Sequence, residues 1–213
     1  MKKYGEILSA CPLFAGMTEE ATEAVLTTLG ARVWRKKKEA WILPEGSPAR
    51  YLGIVLQGVA QVVRTDYYGN RSILTCLHPG DIFGEAFACA GMETLPVAVM
   101  AVTETEVMML DASRLSSLEN GALTWNLLRV MAQKNMLLNR KIEITNKRTT
   151  REKLMAFLMM QAQEKHASAF EISFDRQALA DYLGVDRSGL SAEIGKLNKA
   201  GVLQCRKNWF ELL

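Results

Sequence analysis

The chain has 213 residues, 49% of them hydrophobic, with 26 Lys and Arg, 23 Asp and Glu and a net charge of +3. That balance suits one large or two modest globular domains with real cores and excludes an intrinsically disordered chain. The longest apolar run, Leu95–Val102, is too short to span a bilayer, and no apolar leader follows Lys2 and Lys3. A cytoplasmic protein with no membrane partner is expected.

Cys11, Cys76, Cys89 and Cys205 are scattered, with no CxxC pair and no companion histidines, since only His78 and His166 are present. This spacing speaks against a zinc site and against a disulfide scaffold, so no metal is expected. Two readings of the thiols stay open: small buried side chains, or a redox sensor at Cys11 or Cys89. Charge is divided unevenly. Residues 1–125 hold 11 basic and 14 acidic side chains, whereas residues 126–213 hold 15 and 9. The second part has the excess of cations that phosphate contact requires.

In chain order, Glu6–Leu13 reads as a short helical lead. Thr18 is placed to cap a helix through Leu29, with acids in its first turn and Gly30 after it. Arg32–Lys38 is a basic, strand-like run with two readings, a solvated edge or a nucleic-acid patch. From Ala40 to Asp111 short β-rich pieces alternate with turn residues, and Tyr68-Gly69-Asn70 suits a hairpin tip. Strands at this spacing predict a sandwich or barrel, here a β-roll of about eight strands over 1–112.

A helical period then takes over, predicting one long helix within 113–146. Leu128, Met131, Asn135, Leu138, Ile142 and Thr145 recur by threes and fours as a coiled-coil seam, with Asn135 placed to fix register. Leu127, Val130, Leu137 and Ile144 form a second apolar stripe. One stripe for its own chain and one for a second copy predicts a homodimer; a helix buried within a single monomer is the alternative.

A hinge is expected at Lys147–Thr150, and a further domain over 147–213. Its helix Glu152–Gln163 points Leu154, Phe157 and Leu158 inward, and Phe170–Phe174 alternates as a strand. In Arg176–Leu203, Leu179, Tyr182 and Leu183 mark one short helix and Leu190, Ile194 and Leu197 a second. Gly184-Val185-Asp186 lies between them. A small residue at Ala180, glycine at the turn and a branched anchor at Leu190 fit a helix-turn-helix, although an ordinary helical hairpin has the same pattern. Val202–Arg206 and Trp209–Leu213 close the domain as a hairpin. The whole is α+β: a jelly-roll-like β-roll, a long dimerisation helix and a winged helix-turn-helix.

This order resembles the CRP/FNR family of bacterial transcription regulators. The local marks are Pro12-Leu13-Phe14, then His78-Pro79-Gly80-Asp81-Ile82-Phe83-Gly84-Glu85, then Leu179–Ser188 and the terminal Lys207-Asn208-Trp209-Phe210. The resemblance implies a cyclic-nucleotide-binding-like sensor domain, double-stranded DNA as partner, a second copy of the chain and, in an activator, RNA polymerase. It does not imply an enzyme. A cupin-like metalloenzyme is the rival from another class, and its histidine cluster is missing.

Family members that bind cyclic AMP place an Arg-Ser or Arg-Thr pair on the cyclic phosphate. Here Glu93-Thr94-Leu95-Pro96-Val97-Ala98 occupies that segment, leaving a buried phosphate without a cation. The cysteines near the start are too few for an iron–sulfur cluster, and His78 beside a turn proline is a poor haem ligand. No cofactor is therefore expected, and the effector is an unidentified small molecule. Its expected pocket is Gly84, Glu85, Phe87, Cys89, Val97, Val99, Leu138 and Asn139. In the reader, Arg187 keeps the first arginine of the family pattern, while Ser188 and Ala192 replace an acid and a second arginine. Arg187 is expected to read a guanine, with Ser188 and Ser191 as weaker readers. Lys196, Lys199 and Arg176 are expected to hold phosphates.

Overall fold

The computed structural model describes residues 2–65, 67, 71–118 and 120–213, and the chain divides into two compact units, Met1–Ala132 and Gln133–Leu213. The first unit opens with α1 (Gly5–Ala10) and α2 (Glu19–Thr28). The Thr18 hydroxyl accepts the Ala21 N–H at 3.2 Å, and Glu19 and Glu20 lie where the helix dipole favours anions.

Eight strands follow: β1 (Arg32–Lys36), β2 (Trp41–Leu43), β3 (Tyr51–Gln57), β4 (Ala60–Thr65), β5 (Arg71–Leu77), β6 (Ile82–Phe83), β7 (Ala98–Ala101) and β8 (Thr105–Asp111). A short helix, α3 (Glu85–Cys89), separates β6 from β7. The strands form two antiparallel four-stranded sheets, ordered β1-β8-β3-β6 and β2-β7-β4-β5. This is the β-roll that the strand spacing predicts. The expected hairpin tip Tyr68-Gly69-Asn70 lies outside the described residues; β4 and β5 pair from Ala60↔Leu77 to Thr65↔Arg71.

One apolar layer holds Ile42, Val55, Leu77, Phe83, Val99 and Met109. A second holds Leu13, Phe14, Leu26, Leu52, Ile54 and Met108, with Leu123 and Val130 from the long helix described below. Strand β3 contributes to both, which is why its sequence is a continuous apolar run and not an alternation.

Two buried-edge carboxylates pin the unit. Glu106 accepts hydrogen bonds from Tyr4 Oη at 2.7 Å, Lys3 Nζ at 2.9 Å and Arg35 Nε at 2.9 Å, tying the chain start and β1 to β8. The Tyr4 hydroxyl and the Lys3 ammonium hold its carboxyl at about 2. Asp111 is paired with Arg50, caps the following 3₁₀ turn (Ala112–Ser117) through Ser113 N at 3.1 Å, and lies 3.5 Å from Arg114. The Arg50 guanidinium holds the Asp111 carboxyl well below the usual carboxylate range.

The long helix α4 (Gly121–Thr145) has 25 residues and runs through the point where the two units divide. Val130 is buried in the core of the first unit and Ile144 in that of the second, whereas Leu137 is 60% exposed. The second apolar stripe is thus buried at both of its ends and open in the middle.

In the second unit, α5 (Thr150–Lys165) starts on a full capping box: Thr149 Oγ1 accepts the Glu152 N–H at 3.1 Å, and Glu152 returns to the Thr149 N–H at 3.0 Å. Arg148 N–H also donates to Glu152. The expected hinge at Lys147–Thr150 is therefore a tightly bonded turn. With Ile144 already in the reader core, the last turns of α4 belong to this unit. A three-stranded sheet ordered β10-β11-β9 completes it, from β9 (Ala169–Glu171), β10 (Leu203–Arg206) and β11 (Trp209–Leu212). The strand predicted over Phe170–Phe174 stops at Glu171, because Ile172 gives its N–H to the Asn208 carbonyl and its carbonyl to the Asn208 amide, not to a ladder.

Candidate nucleic-acid interface

Two helices, α6 (Arg176–Leu183) and α7 (Arg187–Lys199), carry the reader. Asp175 caps the first by accepting the Ala178 N–H at 2.8 Å, and Asp186 caps the second by accepting the Gly189 N–H at 2.8 Å. Gly184 takes the left-handed conformation at φ 61° and ψ 49°, and Val185 N–H closes onto the Ala180 carbonyl at 3.0 Å. Only a residue without a Cβ adopts that conformation at no steric cost. Lys153 on α5 reaches the Gly184 carbonyl at 3.5 Å.

The turn sets the helices across each other with Ala180 and Leu190 fully buried between them. Leu179, Leu183, Ile194 and Leu197 join Leu154, Phe157, Leu158 and Phe210 in one core. Tyr182 sits half-buried among Phe157 and Phe174, with ring centroids 5.4 and 5.1 Å away. This is a supported helix-turn-helix, and the alternative of a plain helical hairpin loses its standing.

Burying Leu190, Ile194 and Leu197 turns the other face of α7 outward. Arg187, Ser188, Ser191, Ala192, Gly195, Lys196 and Lys199 are all exposed. Ser188 donates to the Asp186 carboxylate, whose pKa is lowered by that hydroxyl and by the Gly189 N–H. Ser188 thus has a local capping partner besides its expected role at a base edge. Lys196 lies 3.4 Å from Glu193 on the next turn, an exposed pair that costs little to break. Arg187, Ser191 and Lys199 project from the same exposed helix without a comparable local tie.

Arg176 is placed differently from its neighbours. Its guanidinium donates to the Lys207 carbonyl at 3.1 Å and to Cys205 Sγ at 3.4 Å, and stacks 5.7 Å from the centre of the Phe210 ring. The side chain is a clamp on the β10–β11 wing. Two exposed cations that the sequence reading passed over, Arg206 and Lys207, sit at the wing turn that this clamp holds, with Lys207 at φ 56°. The signal was their adjacency at the tip of the closing hairpin.

Two cations at the end of α4 are likewise engaged within this unit. Arg140 pairs with Glu164 at 2.6 Å, and Lys141 Nζ lies 5.1 Å from the centre of the Tyr182 ring. Seam residues further along α4 are open: Leu128 is 56%, Leu138 61% and Ile142 54% exposed. Asn135 is exposed too and accepts the Asn139 amide at 3.2 Å, while Met131 is partly covered.

The sensor residues are less convergent. Gly84 (φ 79°) leads α3, and a Cβ there would come within 2.6 Å of the Tyr51 carbonyl, so the position is closed to any other residue. Glu85 is buried at 3% exposure and Phe87 is partly buried. Val97 and Val99 are buried in the roll, Val99 within its central apolar layer, and Cys89 is exposed. Leu138 and Asn139 belong to the second unit. Where the resemblance puts the cation for a cyclic phosphate, Leu95 is 3% exposed, with Leu95 N–H donating to the Ser47 carbonyl and Gly46 N–H to the Leu95 carbonyl, each at 2.9 Å. Among the described residues no group of three or more His, Cys, Asp or Glu is arranged to hold a metal ion, and no helix is long and apolar enough to cross a membrane.

A β-roll, a long helix and a winged helix-turn-helix define a DNA-binding transcription regulator with an effector-binding domain. The cyclic nucleotide-binding domain model matches residues 33–120, and the Crp-like helix-turn-helix domain model matches residues 152–213. The chain belongs to the CRP/FNR family, whose members are transcription regulators; no enzymatic family is indicated.

No curated protein sequence matches the chain. Solved structures with the same fold include a CooA variant from Carboxydothermus hydrogenoformans, at 21% identity and a TM-score of 0.66, covering 98% of this chain and 90% of that one. The c-di-GMP responsive global regulator CLP of Xanthomonas campestris is similar at 18% identity and a TM-score of 0.60, covering 89% and 98%. FixK2 from Bradyrhizobium japonicum is similar at 22% identity and a TM-score of 0.57, covering 85% and 92%.

Proposed function

We propose that the protein works as a homodimer on a palindromic operator, with its DNA affinity set by a small-molecule effector that is not a cyclic nucleotide. The observation that carries the DNA half is α7, buried on one side and presenting Arg187, Ser191, Lys196 and Lys199 on the other. The exposed seam Leu128, Leu138 and Ile142, with Asn135 in register, supports pairing of two copies along α4. Two-fold pairing places two recognition helices on successive major grooves about 34 Å apart, and the operator inherits that symmetry.

Gating is a population shift: an effector preferring one arrangement of the readers raises its share. The buried Leu95 speaks for an effector without a phosphate to neutralise. We assign the protein to the cytoplasm, without haem or an iron–sulfur cluster, and to RNA polymerase as a partner if it activates. Of the redox alternatives, Cys11 is disfavoured, since it is fully buried and burial pushes its thiol up to about 11. Cys89 is exposed, and partial burial raises its thiol as well, which lowers its thiolate fraction.

Selection of bound sequences from random DNA, followed by gel shifts at several salt concentrations, tests the proposal. The expected result is a palindrome bound by a dimer. No preference over random DNA would sink the operator claim, and a monomer on light scattering would sink the dimer.

A further inference from the structure

Beside the expected effector residues, the first unit contains a cleft of about 420 Å³, within the range of small-molecule sites. Its walls are the end of α3, the turn Ala112–Ser117 and the first turns of α4. Leu115, Leu118, Leu123 and Leu127 give it an apolar floor, and Ala88 and Ala112 keep it open. Ser116, Thr124 and Cys89 are its polar groups, and among the described residues no charged side chain lines it. Its geometry is held from outside, because Asp111 caps the turn, Arg50 grips Asp111, and Ala112 N–H donates to the Arg50 carbonyl at 2.9 Å.

We propose that this cleft is a second binding site, for a small neutral molecule that is mainly apolar and carries a hydroxyl or carbonyl group. The class follows from the lining. Four leucines reward the removal of apolar surface from water, the Ser116 hydroxyl and the lone pairs of Thr124 Oγ1, whose proton goes to the Asn120 carbonyl at 3.2 Å, orient one polar group, and an anion would be desolvated without a partner cation. Cys89 serves the site as a soft wall and not as a nucleophile. The site shares only Cys89 with the expected effector pocket, and its occupancy does not depend on how the protein reads DNA.

Titration of the full-length protein with the neutral fluorophore N-phenyl-1-naphthylamine tests it, together with alkylation of each cysteine by iodoacetamide followed by peptide mass spectrometry. Saturating probe is expected to slow alkylation of Cys89 at least fivefold while leaving Cys76 and Cys205 unchanged. Thr124→Phe and Ser116→Leu, each filling the cleft from an exposed position, are expected to weaken probe binding at least tenfold. Binding that leaves Cys89 unprotected would place the probe elsewhere, for instance on the open α4 seam, and overturn the proposal. So would no binding, or filled variants that bind as the parent does. The protection measurement needs no variant, so a misfolded substitution leaves the test intact.

Discussion

At the scale of single residues, the proposed reader divides into side chains expected to position it and those expected to select sequence. Arg187 stands exposed in the first turn of α7, the place from which a guanidinium reaches the O6 and N7 acceptors of guanine. Arg187→Ala is expected to lose about 1–3 kcal/mol at one base pair of each half-site and to relax specificity there, measured on operators mutated singly. Lys196→Ala is expected to weaken all DNA alike. Equal effects of the two substitutions on every sequence would refute the division. Arg176 is expected to behave in a third way: Arg176→Ala frees the wing, lowers the melting temperature and weakens DNA binding without changing sequence preference. Glu106 belongs to this scale too. Its folded carboxyl titrates at about 2 against an ordinary 4.5, so its contribution to stability is complete above 4.5 and is lost as pH falls toward 2. Melting temperatures of the parent and of Glu106→Gln are expected to differ most near neutrality and to converge by about pH 2.

At the scale of elements, α4 carries most of the inference. Its seam is apolar where solvent reaches it, so Leu138→Glu or Ile142→Glu is expected to dissociate the dimer while each unit keeps its fold, as light scattering and circular dichroism together report. Asn135→Leu is expected to stabilise the pairing and loosen its register. The β-roll and the helix-turn-helix were legible because short strands alternate with turn residues in the one and apolar residues recur at helical spacing in the other, and such spacing survives in sequence. What was not legible lacks a period. Helix α3 has five residues, too few to display one, and the turn Ala112–Ser117 is held by Asp111 through contacts with Arg50, 61 positions away. The bonding at the expected hinge was not legible for a related reason. Lys147–Thr150 is polar and looks loose, yet Thr149 and Glu152 lock it reciprocally, and Ile144 ties the preceding turn to the reader core. Among the expected site residues, Val99 is buried in the central apolar layer of the roll and Arg176 is bonded to the wing, contacts between distant parts of the chain that no local spacing reveals.

At the scale of the whole molecule, charge is sorted along the chain. Residues 126–213 carry six more cations than anions, while residues 1–125 carry three more anions than cations. Some of those cations are already engaged: Arg140 by Glu164, Arg176 by the wing, Lys141 by the Tyr182 ring. On α7 and the wing, those left exposed are Arg187, Lys196, Lys199, Arg206 and Lys207. Four of these, all but Arg187, which is proposed to read a base, are expected to hold phosphates, which would make about eight contacts in the proposed dimer and a slope of log K against log salt near −7. Removing one lysine from each copy is expected to make that slope shallower by about 1.8, since each phosphate contact releases about 0.9 of a counterion. Arg187→Ala is expected to change the slope less than Lys199→Ala does, because a base contact releases no condensed counterion. A dimer slope no steeper than about −3.6, the value for Lys196 and Lys199 of both copies alone, would mean that the wing cations stay in solvent and that phosphate contact is confined to α7.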